Sequence, residues 1–249
     1  MSTALPTVPV LRSEWIKIRS LRGTFGALIA VFAATVGIQM LAAAATGQAE
    51  AGGMGDDPLI GAFYGVNFGQ IAAFAFGASA LSAEFHNGAL RTSLTAVPNR
   101  TRFYLSKIAV VGVLAFVVGQ VTGLLTFVLG QVPMGRYALS LGDPGTLRAV
   151  FGSGVYLMFM ALFAAGLTAV LRSAAVVLSV LIPFVVMAPF IIGQAAGGAA
   201  EFLPDQAGQL VMHLDSAGRL GPWSGLGVLA LWALAAVAGG WTAVHRRDA

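Results

Sequence analysis

The sequence predicts an all-α integral membrane protein with six transmembrane helices. An amphipathic interfacial helix precedes them, a further cytoplasmic helix lies between spans two and three, and an outer segment precedes span six. Three observations carry this. First, six runs contain no Asp, Glu, Lys, Arg or His: Gly23 to Ala49, Pro58 to Ala83, Ile108 to Gly135, Ala149 to Leu171, Ser173 to Ala200 and Leu220 to Val244. About 20 apolar residues suffice to cross a hydrocarbon core of about 30 Å as a helix, and every run exceeds that. Second, 57% hydrophobic against 10% charged residues, with a mean hydropathy of +0.84, leaves too little polar surface to cover a soluble domain. Third, the basic residues are unevenly shared between the two sides. With the N-terminus in the cytoplasm, eleven Lys and Arg fall on that side (12, 17, 19, 22, 91, 100, 102, 107, 172, 246 and 247), against only Arg136, Arg148 and Arg219 on the other. Both termini are expected in the cytoplasm.

Lipid offers the backbone no hydrogen bonds, so spans must be helices or a closed barrel, and continuous apolar runs lack the alternation of barrel strands. The chain reads as one transmembrane domain over residues 1–249, with spans expected at about 24–46, 59–82, 105–131, 149–171, 174–193 and 223–244. The net charge of +4 follows from the loop asymmetry, so nucleic acid is not an expected partner. The absence of cysteine excludes disulfides and thiolate metal sites. Span one is longer than a signal peptide's apolar core and follows a polar-to-amphipathic leader.

In residues 9–22 the stretch LRSEWIKIRSLRG sets Leu11, Trp15, Ile18 and Leu21 at helical spacing, with Arg12, Lys17, Arg19 and Arg22 mostly opposite. This predicts an interfacial helix, apolar face in the acyl boundary and basic face toward headgroups. The connection 84–102 is far longer than a turn requires. Residues 90 to 96 read as a short helix ended by Pro98 and Asn99, and Glu84 stands where it can pair with a basic residue or the lead helix.

Within the spans, Gly61, Gly65, Gly69, Ala73 and Gly77 form a four-residue stripe of small side chains, with a shorter version at Gly119 and Gly123. Such stripes let helices approach closely. Polar residues at membrane depth are few: Gln39, Asn67, Gln70, Gln120, Thr122 and Thr168. They read as interhelical hydrogen-bonding groups or as a weakly polar substrate path, the candidates for the path being Asn67, Gln70 and Gln120. None is ionisable, which disfavours proton- or charge-driven transport. Pro183 and Pro189 allow a kink in span five. In the outer connection, EFLPDQAGQLVMHL predicts a short helix from Pro204, with Leu203, Leu210, Val211 and Leu214 on an apolar face that either dips back into the bilayer or rests at its surface.

No catalytic set is evident. His86, His213 and His245 lack paired ligand spacing, so no metal is expected, and Ser153 has no histidine within a span to activate it. Nor is there a P-loop, since Lys17 and Lys107 follow Ile16 and Ser106 rather than glycine.

The basic lead helix with its SEWIKIRS core, the six spans, Glu84 with Gly88, the spacing of Leu94, Pro98 and Arg100, and Lys107 opening span three together resemble the ABC-2 type permease subunits of bacterial ATP-binding cassette exporters. The resemblance covers nearly the whole chain. It implies that the loop after span two holds a coupling helix docking on a separate ATPase, with Glu84, Gly88, Leu90, Arg91, Leu94, Pro98 and Arg100 as coupling residues. Glu14, Trp15, Lys17 and Arg19 then belong to a connecting helix that touches the same partner. The implied assembly has two ATPases, which carry the ATP and Mg, and a second permease copy or paralogue in a bacterial cell membrane. This chain itself would bind no cofactor. A re-entrant hairpin before span six and a path along spans two and five are further implications. Two other classes fit the same spans: a non-transporting anchor or assembly protein, and an ATP-independent channel or carrier.

Overall fold

The computed structural model describes residues 7–51, 57–86, 89–96, 98–195, 197–214 and 218–246, and the described residues form helices and turns without strands. Helix α1 (Thr7–Ser20) runs almost directly into α2 (Arg22–Ala51), with only Leu21 outside helical assignment between them. The chain returns through α3 (Pro58–Ala62) and α4 (Val66–Ser82), a short 3-10 turn (Ala83–Phe85) and α5 (Ala89–Ala96). It then crosses in α6 (Arg100–Gln131), turns at Val132–Tyr137, and returns in α7 (Thr146–Leu171). Helix α8 (Ala174–Ala195) leads to a 3-10 turn (Gly197–Phe202), α9 (Pro204–Gln209) and the final helix α10 (Pro222–Arg246).

Five described helical stretches are long and apolar enough to cross a membrane: 22–46, 66–85, 100–130, 146–171 and 222–246. At the place of the predicted fifth span, α8 is helical for 22 residues and runs through Pro183 and Pro189. Its apolar stretch with described side chains is Ala174–Met187.

Helix α7 is the hub, packed against α4, α6 and α10. Small residues make this contact possible. A methyl group on Gly77 would strike the carbonyl of Ala161, and one on Gly166 would strike the backbone of α10 at Ala236 and Val237. The long glycine stripe is divided between partners, since Gly65 and Gly69 lie against Thr35 of α2 while Gly77 lies against α7. Gly119 and Gly123 approach Gly154, Val150 and Ser153 of α7. Around this core the outer faces are apolar, as at Leu41, Val113, Val180 and Leu231. A water-facing surface would not tolerate that, whereas lipid does.

Three sequence expectations are corrected. Span two, expected as one helix over 59–82, is broken between α3 and α4. The break is stabilised by Gln39 of α2, whose Nε2 donates to Gly61 O at 2.9 Å and whose Oε1 accepts from Gly65 N at 3.0 Å. A buried break needs such partners because lipid supplies none. Span three, expected from 105, starts at Arg100, because Asn99 accepts from Arg102 N at 3.0 Å and caps the helix five residues earlier. The lead helix, expected at 9–22, occupies 7–20, and of its expected apolar face Ile18 turns into the bundle. Glu14 and Ile18 are buried, while Trp15 and Ile16 face outward and Leu21, just past its end, is exposed too. The side chains of Leu11 and Arg12 lie outside the described residues.

The outer connection folds back into the bundle. Pro204 is the first residue of α9, Ala207 and Val211 are fully buried, Gly208 packs on Tyr156 of α7 and Leu229 of α10, and Gly152 packs on Val211. Leu203, Leu210 and Leu214 are only half-buried, so the inward face is built as much from small residues as from leucines. At its far end this segment is pinned by Asp57, which accepts from Leu214 N at 3.0 Å. Arg148 donates to the carbonyls of His213 and Leu214.

Candidate functional site

Four charged side chains meet where the ends of α1, α4 and α6 converge. Lys107 Nζ of α6, 1% exposed, stands 2.6 Å from Glu84 Oε1 and 2.7 Å from Glu14 Oε2. Its contact with Glu84 is an aligned hydrogen bond, whereas that with Glu14 is an ion pair without aligned geometry. Lys17 Nζ closes the ring from α1, at 2.9 Å from Glu14 Oε1 and 3.2 Å from Glu84 Oε1. Opposite charges therefore alternate around the cluster. Ser93 of α5 joins it, accepting from Lys17 at 3.1 Å and donating to Glu84 Oε2 at 2.9 Å. Burial pulls the Lys17 ammonium down, but the hydrogen bond and charge of Glu14, with Glu84 behind them, outweigh it and hold its pKa above the usual lysine value.

The chain builds this cluster because charges at helix ends are tolerated inside only when paired. Glu14 and Ile18, four residues apart, share one face of α1 and bring it against the bundle. Desolvating these charges is costly, and removing one partner strands the others, at roughly 3–5 kcal/mol for a buried pair. The cluster is a joint between four helices, and α5 is held through Ser93.

Helix α5 itself is amphipathic. Leu90 is buried and Leu94 is half-buried against the core, while Arg91, Thr92 and Thr95 are exposed. Of the expected coupling residues, Leu90 and Leu94 thus anchor the helix, and Arg91 lies on its outer surface. Pro98 is exposed in the link to α6. Arg100 donates to Val244 O at 3.0 Å, tying that link to the end of α10. Gly88 lies outside the described residues. Of the lead-helix set, Glu14 and Lys17 enter the cluster, while Trp15 and Arg19 stay exposed beside it. Lys107 and Ser93 are the members that sequence reasoning did not assign to a site. The usable signal was scarcity, since Lys107 is one of two lysines in the chain.

Two shallow grooves open at this end. One of about 380 Å³ runs between α1 and α5 along Lys17, Ser20, Leu21, Glu84, Ala89 and Ser93. Another of about 520 Å³ lies where α4 meets the start of α8, along Leu21, Ser79, Ser82, Ala83, His86 and Ala174.

The three residues expected along a substrate path are not gathered into one lining. Gln70 is buried in the α4–α7 seam and accepts from the hydroxyl of Tyr156. Asn67 donates to Tyr64 O at 3.2 Å within its own turn, and Gln120 of α6 donates to Phe151 O of α7 at 3.0 Å. Gln70 and Gln120 are each committed to a bond between helices.

The seam at Gln70 continues into α9, where Gln209 Nε2 reaches Tyr156 Oη at 3.5 Å. Asp205 is buried in the same helix at 2% exposure, and its Oδ1 has no hydrogen-bond partner among the described residues. Burial pushes this carboxyl above the usual aspartate value. The charge-free runs are thus only part of the buried interior, because α9 carries an acid into the bundle from the connection.

This architecture, with apolar spans around a small-residue core and a ring of paired charges at one end, defines a polytopic helical membrane protein. The sequence model of the ABC-2 family transporter proteins matches residues 10–191, and the chain belongs to that family. No curated protein matches the chain significantly.

Proposed function

We propose that this chain is the membrane-spanning subunit of an ATP-driven exporter, moving a hydrophobic or amphipathic compound such as a drug, antibiotic, peptide or lipid. A separate cytoplasmic P-loop ATPase, in two copies, binds and hydrolyses Mg-ATP. A second copy of the permease or a close paralogue completes the path, and the assembly resides in a bacterial cell membrane with both termini in the cytoplasm. The observation that carries this reading is the charged joint: Ser93 fixes α5 to Glu84 and Lys17, and Glu84 and Glu14 fix that unit to Lys107 at the head of α6. A partner pressing on the exposed Arg91, Thr92 and Thr95 acts on a helix tied to α1, α4 and α6 together. That is the mechanical requirement of coupling, because packed elements respond as units rather than by continuous deformation.

The groove between α4 and the start of α8 is the proposed entry for cargo, in keeping with a path along the second and fifth spans. Its Ser79, Ser82 and His86 suit a partly polar molecule leaving the headgroup region.

The test is recovery of the tagged protein from its host in mild detergent, with the Arg91→Asp/Thr95→Asp double substitution alongside. We expect a stoichiometric P-loop ATPase with the parent chain and its loss with the double variant, while membrane insertion and thermal stability are unchanged. Recovery of the chain alone, or flux through liposomes containing only this chain, would refute the reading in favour of an anchor or a carrier.

A further inference from the structure

At the end opposite the charged joint, a cavity of about 430 Å³ opens beside the break in span two. One wall is the alanine-rich end of α2 (Ala42, Ala43, Ala45), another is α3 with Tyr64, and Gly130 to Leu139 complete it. Its size suits a small amphiphile. Interrupted spans are where membrane proteins place ligand sites, because the unwound turn brings backbone close to a bound molecule. Here the interruption is real, and Gln39 fills its hydrogen bonds from inside the cavity wall.

The polar groups around this cavity are mainly donors. The amide oxygen of Gln131 is occupied by Leu139 N at 2.8 Å, so what this side chain can offer a ligand is its Nε2. Tyr64 and Tyr137 add hydroxyls. Arg136, exposed, stacks over the Tyr137 ring with 4.8 Å from Cζ to the centroid and donates to its hydroxyl at 2.9 Å, which sets a cation on the cavity's border. Asp57, next to Pro58 of the wall, is turned away to Leu59 N and Leu214 N. Leu41, Ile60 and Val132, each next in the chain to a lining residue, are exposed and put apolar surface beside the cavity for an alkyl chain arriving from lipid.

We propose that this cavity binds the alkyl chain of an acidic amphiphile, with its phosphate or carboxylate head held by Arg136 and the Tyr137 and Gln131 donors. The chemistry is shared by anionic bilayer lipids and by acidic amphiphilic cargo. The site does not depend on the export reading.

The test uses full-length protein in phosphatidylcholine nanodiscs containing a trace of acyl-chain diazirine phosphatidylglycerol or, separately, the matching phosphatidylcholine probe. After irradiation, adducts are mapped by peptide mass spectrometry. We expect adducts on 39–46 and 131–139, with the anionic probe preferred roughly fivefold, the worth of one cationic contact at a membrane surface. Arg136→Gln should erase that preference and keep the chain adducts. Ala42→Phe should remove both probes from the cavity while adducts on the outward face of α10 persist, which reports an intact fold. Equal labelling by the two probes in the parent chain, or cavity adducts unaffected by Ala42→Phe, would overturn the proposal. Repeating the labelling in the complex with its ATPase separates the sources: adducts indifferent to ATP mark a resident lipid, adducts depleted by ATP mark cargo, and either upholds the site.

Discussion

Lys107 lies between Glu84 and Glu14, 2.6 Å from one carboxylate and 2.7 Å from the other, and is almost fully buried at the head of α6. One ammonium thereby joins the end of α4 to the lead helix, two elements far apart in the chain. The inner side of the amphipathic α1 thus combines charge pairing at Glu14 with apolar packing at Ile18.

Glu84→Gln should lower thermal stability by an amount corresponding to roughly 3–5 kcal/mol, because two lysines would then share one carboxylate in a buried setting. The double variant Glu84→Leu/Lys107→Met should be less damaging than the two single changes added together. Thermal unfolding followed by size-exclusion fluorescence measures both. Strict additivity would show that these two residues do not interact.

Gln39→Leu leaves the buried Gly65 N without its partner and Gly61 O with the long bond from Tyr64 N at 3.5 Å. Each buried unsatisfied group costs about 1–3 kcal/mol. Lower thermal stability and faster amide hydrogen exchange around Gly65 are expected, with exchange at the centre of α7 unaffected.

Asp205 gives a pH-dependent prediction. Burial raises its pKa, so its neutral form is the one the fold favours, and its contribution is fully present below the usual aspartate value of about 4 and lost as pH rises through the raised value. Asp205→Asn should therefore melt higher than the parent chain at pH 7 to 8, and the difference should vanish near pH 4. Parallel melting curves at every pH would show that Asp205 does not titrate differently in the folded chain.

The proposed topology is open to direct labelling because the sequence contains no cysteine. Arg91→Cys should react with a membrane-impermeant maleimide only after the cytoplasmic face is exposed. Arg136→Cys, at the other end of α6, should react in intact cells. The reverse pattern would invert the orientation.

Much of the fold is legible in the charge-free runs, because lipid forbids both unpaired backbone and unpaired charge and so writes its thickness into the sequence. The break at residues 63–65 was not, since Gly61, Gly65 and Gly69 read equally well as a packing stripe and the deciding partner, Gln39, lies on another helix. In α1 the apolar spacing sets Trp15 and Leu21 outward, as an interfacial helix requires, but gives no sign that Glu14 turns inward to meet Lys107. Glu84, Glu14 and Lys17 of the charged joint were legible as site residues, whereas Lys107 and Ser93 depend on how the helix ends converge. Asp205 carries no local sign of burial, and only the small Ala207 and Gly208 that follow it hint at a close-packed segment.

Two ammonium groups and two carboxylates make up the joint beneath α5, and their formal charges cancel. An electric potential of 100 mV does about 2.3 kcal/mol of work on one elementary charge carried across the full membrane, and none on a neutral assembly moved as a body. Displacement of this joint as a body along the membrane normal is therefore indifferent to voltage.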